Sequence, residues 1–93
     1  MFLHLGHNLS VRARDVIAIH DYRLFAPGGA ARAFFEREQA AGHVRDVAAG
    51  KTPKSLVMTD EAIYLSAISP TTLLRRTRNS YRFVHNNANN TSK

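Results

Sequence analysis

The residues best suited to chemistry in this 93-residue chain are arginines clustered in its last quarter. Four guanidinium groups fall within eight positions, at Arg75, Arg76, Arg78 and Arg82. A guanidinium is a planar fork of donors that can engage two phosphate oxygens, so phosphate contact is a natural use for this cluster. Cations also stabilise the C-terminal end of a helix, and the same spacing fits that purely structural role.

A second group of cations lies in the loop 50–54, where Lys51 and Lys54 flank a stiff Thr-Pro turn. Lysines on such a turn can follow a phosphate backbone without reading bases. The tripeptide Gly-Lys-Thr at 50–52 matches the end of a nucleotide-binding P-loop, but Arg45 stands where that motif needs its first glycine. We therefore exclude nucleoside triphosphate binding.

Charge is distributed unevenly along the chain. Residues 1–49 carry six basic and five acidic side chains, whereas residues 50–93 carry seven basic and two acidic ones. With a pI near 10.5, this excess is typical of a nucleic-acid-binding domain. Arg12 and Arg14, on one face of a predicted extended segment, either join the basic surface or pair with Asp15 and Asp21. Solubility, or affinity for an acidic protein or membrane surface, is the alternative interpretation of the charge.

The five histidines do not indicate a metal site, because no two of them stand four residues apart on a predicted helix. The serines and threonines that could act as nucleophiles fall in segments explained by strands and helix caps. We therefore expect no enzyme activity, no metal and no cofactor.

Length and composition limit the class of protein further. Ninety-three residues form one domain with a thin core, and self-association would add the missing burial. The absence of cysteine fits a reducing cytoplasm. The N-terminal segment lacks the basic region of a signal peptide, and no window approaches the roughly 20 apolar residues of a membrane span. We expect a cytoplasmic protein without a membrane partner.

Hydrophobic patterning predicts an α+β domain over residues 1–78, with a small, largely antiparallel β-sheet, one central helix and a C-terminal helix. Alternating apolar residues and turn signals place strands at 2–5, 9–11, 15–20, 44–47, 56–59 and 62–66. The third strand is expected to be well buried, because 16–19 is an apolar run rich in β-branched residues.

The two helices are predicted from composition and capping signals. Helix formers dominate 30–41, where Ala31, Phe34 and Phe35 share one face. Ser69 before Pro70 is a typical N-cap pair, so a second helix is predicted from Pro70 to Arg78. The basic, Asn-rich tail 79–93 has few apolar residues and is expected to be disordered.

Several segments resemble one known family, the bacterial extracellular matrix regulatory proteins of the RemA/RemB type, and specifically the RemB branch. The resemblance is collinear over about residues 1–78. It is carried by Met1-Phe-Leu-His-Leu-Gly6, Arg14-Asp-Val-Ile-Ala-Ile19, Thr52-Pro-Lys-Ser55, Thr59-Asp60, Tyr64-Leu-Ser66 and Ile68-Ser-Pro-Thr-Thr-Leu73.

The resemblance implies a small α+β protomer that closes into a ring-shaped homo-oligomer. In the RemA branch it implies a DNA-binding activator of biofilm-matrix and osmoprotection genes, which contacts DNA through an arginine-rich loop before a strand hairpin. The corresponding loop here is 50–54, in which Lys51 and Lys54 keep the charge and Thr52 and Pro53 do not.

Residues and resemblance together predict a non-enzymatic DNA-binding regulator of extracellular matrix gene expression. Double-stranded DNA, further copies of the chain and a RemA-type paralogue are the expected partners. The alternative is a structural or adaptor protein that assembles with itself or with such a paralogue without touching DNA. The expected DNA-binding residues, the last two being weaker candidates, are Lys51, Lys54, Arg75, Arg76, Arg78, Arg12 and Arg14.

Overall fold

The computed structural model describes residues 1–77; Arg78 and the predicted tail 79–93 lie outside the described residues. Six strands, two helices and two short 3₁₀ turns (Ala13–Asp15 and Tyr22–Leu24) make up that part of the chain. In order, the strands and helices are β1 Phe2–Gly6, β2 Leu9–Arg12, β3 Val16–Asp21, α1 Arg32–Ala40, β4 Val44–Asp46, β5 Ser55–Thr59, β6 Ile63–Ser66 and α2 at residues 70–77.

Four strands form one sheet in the order β3-β5-β6-β4. The β5 strand pairs antiparallel with β3 and β6, while β4 lies parallel to β6. A separate antiparallel hairpin joins β1 to β2, through His7 and Asn8, which both have positive φ. The predicted α+β class with a largely antiparallel sheet is confirmed.

Side chains from the two faces of the four-stranded sheet enter two different apolar clusters. Val57 and Tyr64 pack with β1 and with Leu73 of α2. Their neighbours in the chain, Leu56 and Leu65, pack instead with aromatic residues of α1 and of the turn before it. Because successive strand residues face opposite ways, both faces of this small sheet are covered.

The β1 strand lies close to the chain that leaves β4, and Gly6 permits this approach. Gly6 has φ 131°, and a Cβ at this position would lie 2.7 Å from the carbonyl oxygen of Val47. A larger residue would be strained in this conformation and would also displace backbone. The glycine therefore fixes how the β1–β2 hairpin sits against the main sheet.

Both helices begin close to the predicted places. The Oγ of Ser69 accepts a hydrogen bond from Thr72 N at 3.2 Å, so the predicted N-cap of α2 is confirmed. Leu73, one turn into α2, is fully buried. In α1, Phe35 is buried and Phe34 packs at the edge of the same cluster, as their spacing predicts. Neither described helix is long and apolar enough to cross a membrane.

Two expectations about the segment 12–20 are wrong. The β3 strand lies at the edge of the sheet rather than inside it, and Ile17 is 69% exposed. A register shift between Val16 and Ala18 marks a bulge at this residue. Arg12 ends β2, whereas Arg14 lies in a 3₁₀ turn, so the two arginines do not share one extended segment.

Candidate functional site

The loop 48–54 is held in place by its own backbone. Asp46 Oδ1 accepts a hydrogen bond from Ala48 N at 2.8 Å, and Lys51 N donates to Ala48 O at 3.1 Å. The two residues inside this turn, Ala49 and Gly50, have φ values of 56° and 81°. Positive φ at both central positions is the requirement of a type I′ turn. The exposed Lys51 therefore follows a tight turn of defined shape.

Lys54 is anchored at both of its backbone polar groups. Its N–H donates to Ser66 O at 2.8 Å, and its carbonyl accepts from Tyr22 N at 3.0 Å. The bond from Tyr22 extends the β3–β5 ladder by one residue beyond the pair Asp21–Ser55, and the bond to Ser66 ties Lys54 to the end of β6. The exposed side chain of Lys54 thus projects from a backbone fixed by two neighbouring segments.

The basic residues of α2 lie toward the other end of that helix. Arg75 and Arg76 are both exposed. Arg76 lines a cleft of about 350 Å³ together with Met1 and Ala13, whereas Lys54 borders a different cleft beside Pro70. At 1.5 Å per residue, Pro70 and Arg76 are about 9 Å apart along the helix axis. The predicted cations therefore sit near both ends of α2 rather than at one point.

Arg12 and Arg14 have contrasting surroundings. Arg12 Nε donates to Asp15 Oδ2 at 2.8 Å, and both residues line a cleft that also contains Asp60 and Glu61. With three carboxylates and one guanidinium in its lining, this cleft carries a net negative charge. Arg14 is exposed and forms no ion pair with any residue of 1–77.

Ion pairs divide the cations of the described residues into two groups. Arg12, Arg23 and Arg32 each pair with a nearby carboxylate. Lys51, Lys54 and Arg75 are exposed and pair with no carboxylate of residues 1–77, and the same holds for Arg14, Arg37 and Arg45. Charge that is not neutralised internally is thus present in the loop 50–54 and on α2, the two segments that the sequence indicates. Arg78 falls outside the described residues.

Histidines do not converge anywhere in the described part of the chain. His43 Nδ1 lies 3.3 Å from a carboxylate oxygen of Glu38, just after α1. Within residues 1–77, no three histidine or acidic side chains come together as metal ligands would.

Arg23 is a cation near Lys54 that the sequence interpretation did not select. It follows β3, and it borders the same cleft as Lys54, Thr52 and Thr71. Arg23 comes near Lys54 only because β3 pairs antiparallel with β5, a strand more than thirty residues away in the sequence. The only local signal was the Asp-x-Arg spacing at 21–23 directly after a predicted strand.

Asp21 holds the side chain of Arg23 in a defined orientation. Arg23 Nη2 donates to Asp21 Oδ2 at 2.7 Å, and Nε lies 3.1 Å and 3.2 Å from the two carboxylate oxygens. The backbone N of Arg23 also donates to Asp21 Oδ1 at 2.9 Å. The side-chain hydrogen bond from Arg23 lowers the pKa of Asp21, and its backbone hydrogen bond adds to this effect.

Comparison with known proteins assigns the family. The family model described as RemA-like, extracellular matrix regulatory protein A-like, matches residues 2–77. Extracellular matrix regulatory protein B of Bacillus subtilis (strain 168) is 32% identical over 77 residues, which cover 82% of this chain and 89% of that protein. The resemblance noted from the sequence is thereby confirmed. The chain belongs to the RemA-like family of extracellular matrix regulatory proteins, within its RemB branch.

Proposed function

We propose that this protein is a cytoplasmic DNA-binding regulator of extracellular matrix gene expression, which acts as a homo-oligomer. The observation that carries the proposal is positive charge on two rigid segments that no carboxylate of residues 1–77 pairs with. Lys51 follows a tight turn, Lys54 is anchored by two backbone hydrogen bonds, and Arg75 lies on α2. Rigid cations without internal carboxylate partners are well suited to contact a phosphate backbone.

The proposal gives different weights to the predicted DNA-binding residues. Lys51, Lys54, Arg75 and Arg76 are its core, and Arg14 and Arg78 are secondary members. Arg12 is left out because it pairs with Asp15 and lines a cleft that also contains Asp60 and Glu61. A phosphate entering this cleft would be repelled by its excess of carboxylates, since like charges repel.

One protomer offers only a few phosphate contacts, each of them weak at physiological salt. Several copies on one closed ring would act together, and the salt dependence of binding would steepen. Exposed apolar side chains favour such assembly: Met1 is 71%, Phe2 66% and Ile17 69% exposed. The same side chains would serve the second candidate, an adaptor that assembles with itself or with a RemA-type regulator without binding DNA.

A salt-dependent titration separates these two candidates. Fluorescent duplex DNA of about 30–40 base pairs is titrated with the protein at several salt concentrations, and the slope of log K against log salt counts neutralised phosphates. We expect a slope steeper than one protomer can supply. The substitution Lys51→Gln should lower it by about 1 for each protomer in contact with DNA.

The matched control is Arg37→Gln, which also removes one exposed charge that no carboxylate of residues 1–77 pairs with. Arg37 lies near the end of α1, and this helix leads to His43, whose carbonyl accepts from Ile63 N at the start of β6. That end of the sheet is opposite to the one that carries Lys54. Arg37→Gln should leave the slope unchanged. Absence of binding at low salt would refute DNA binding and leave the adaptor function.

A further inference from the structure

A cleft of about 470 Å³ lies at the end of the four-stranded sheet where β3 ends and β5 begins. It brings together two cations, Arg23 and Lys54, and three hydroxyl-bearing side chains, Thr52, Ser69 and Thr71. Asp21 is the one acidic residue of its lining. We refer to it below as the Arg23–Lys54 cleft.

The two cations come from adjacent antiparallel segments. Asp21 is the register partner of Ser55, and the hydrogen bond from Tyr22 N to Lys54 O continues the ladder by one step. Tyr22 and Lys54 are thus the last partners in this ladder. Arg23 is the next residue after Tyr22, within the 3₁₀ turn Tyr22–Leu24. Arg23 and Lys54 both line the same cleft of about 470 Å³, which is large enough to hold a single phosphate group.

Asp21 orients the guanidinium of Arg23, but it engages only some of its N–H donors. Asp21 engages its Nε and Nη2 atoms, and no hydrogen bond within residues 1–77 engages Nη1. The Arg23 side chain is 88% exposed. A guanidinium held in this way has already lost part of its rotamer entropy and keeps free donors for a ligand.

Charge indicates the class of ligand. Arg23 and Lys54 contribute two positive charges and Asp21 one negative charge, so the lining carries a net charge of +1. One phosphodiester, with a single negative charge, would balance it.

We propose that Arg23 and Lys54 together bind one phosphate of the DNA backbone, with Asp21 holding the guanidinium in place. This inference rests on the proposed function, and it adds to that function a residue and a defined contact. Lys54 supplies an ammonium group from one side, and Arg23 supplies its Nη1 donors from the other. Thr52 and Thr71 place further hydroxyl donors at the rim.

Three variants test the shared contact: Arg23→Gln, Lys54→Gln and the double substitution. Each is titrated with the same duplex DNA over the same salt series, with Arg37→Gln as the control for loss of one charge. We expect each single variant to lower the affinity. Because the slope counts neutralised phosphates and both cations serve one phosphate, the double variant should lower the slope by only about 1 per engaged protomer, rather than by about 2. Because both cations serve one phosphate, the double variant should lose less affinity than the product of the two single losses.

The titrations distinguish a failure of the shared phosphate contact from a failure of the proposed function. If Arg23→Gln binds DNA as Arg37→Gln does, the inference is wrong while the proposed function stands. If the two single losses multiply fully in the double variant, Arg23 and Lys54 contact separate phosphates and the shared site is refuted. If the wild-type protein does not bind DNA, the proposed function and this inference fail together.

Arg23→Gln should fold as the wild type does, because the Arg23 side chain is 88% exposed. Circular dichroism and gel filtration should be the same for Arg23→Gln and wild type. A second variant, Arg23→Lys, keeps the charge and removes the fork of donors. It should bind DNA with an affinity between those of wild type and Arg23→Gln, and an affinity equal to that of Arg23→Gln would refute a charge-based phosphate contact.

Discussion

Pairing with an aspartate has different consequences for Arg12 and Arg23. Arg12 pairs with Asp15 in a cleft that also holds Asp60 and Glu61, so its charge is more than neutralised. Arg23 pairs with Asp21 beside Lys54, so positive charge remains. A salt bridge by itself therefore does not remove an arginine from a binding surface, and the charges beyond the pair decide whether an anion can approach.

The Asp21–Arg23 pair leads to a prediction about pH. The hydrogen bond from the Arg23 side chain lowers the pKa of Asp21 below its ordinary value. A carboxyl group with a lowered pKa in the folded state stabilises the fold above its unfolded pKa, and this stabilisation is lost as the pH falls through the folded value. Titration of the Asp21 carboxyl carbon by NMR should therefore give a midpoint below that of an ordinary exposed aspartate.

Arg23→Gln is the matched test of that cause. It removes the charged hydrogen-bond donor and keeps the backbone N–H of residue 23, so the pKa of Asp21 should rise toward its ordinary value. An unchanged midpoint would show that the backbone hydrogen bond alone accounts for the shift. We expect little change in stability at neutral pH, because exposed ion pairs contribute little.

At the scale of the elements, two buried serines connect the central hairpin to its surroundings. Ser55 and Ser66 are register partners on β5 and β6, and both are fully buried. Ser66 Oγ donates to Leu5 O of β1 at 2.6 Å and accepts from Ile68 N at 3.1 Å. Ser55 Oγ donates to Ile68 O at 2.6 Å. The pair thus fixes both the β1–β2 hairpin and the segment that leads into α2.

Ser66→Ala should be clearly destabilising for this reason. It leaves the carbonyl of Leu5 and the N–H of Ile68 without their side-chain partner in a buried place, at a cost of about 1–3 kcal/mol. Urea unfolding at a fixed protein concentration measures the change in the free energy of unfolding. Ser10→Ala, on an exposed position of β2, should change it by less than about 0.5 kcal/mol. Equal effects of the two substitutions would contradict the proposed connection.

The local elements could be predicted from the sequence because their signals are local. Alternating residues mark the β5–β6 hairpin, and Ser69 with Pro70 marks the start of α2. The position of β3 could not be predicted in this way, since an apolar run of β-branched residues is compatible with a central strand or with an edge strand. The edge position leaves Ile17 exposed.

The candidate site was predictable only where it is continuous in sequence. The loop 50–54 and the arginines of α2 are recognisable as short basic segments. Arg23 joins Lys54 only through the pairing of β3 with β5, and that register is a tertiary property. The acidic surroundings of Arg12 likewise depend on the position of the hairpin tip at Asp60 and Glu61.

For the whole molecule, a thin core and exposed apolar side chains both favour assembly. A chain of this length buries a smaller fraction of its surface than a larger domain, and Ile17 and Phe2 remain more than 60% exposed in the protomer. Within residues 1–77, the β3 strand also has one edge that pairs with no other strand. An edge strand with an exposed isoleucine is open to contact with another copy, which would bury both.

Ile17→Lys should therefore weaken self-association. Burial of one isoleucine side chain contributes about 1.5–3 kcal/mol, and a lysine at this bulge would bring a charge to the same contact in every copy. Sedimentation velocity should show a smaller assembly, and the DNA titration should show a salt slope that falls toward the value of a single protomer. Ile17→Val, which keeps an apolar side chain, should retain the wild-type mass and slope. A wild-type mass for Ile17→Lys would place the contact between copies elsewhere, whereas a reduced mass with an unchanged slope would show that DNA binding does not depend on several copies acting together.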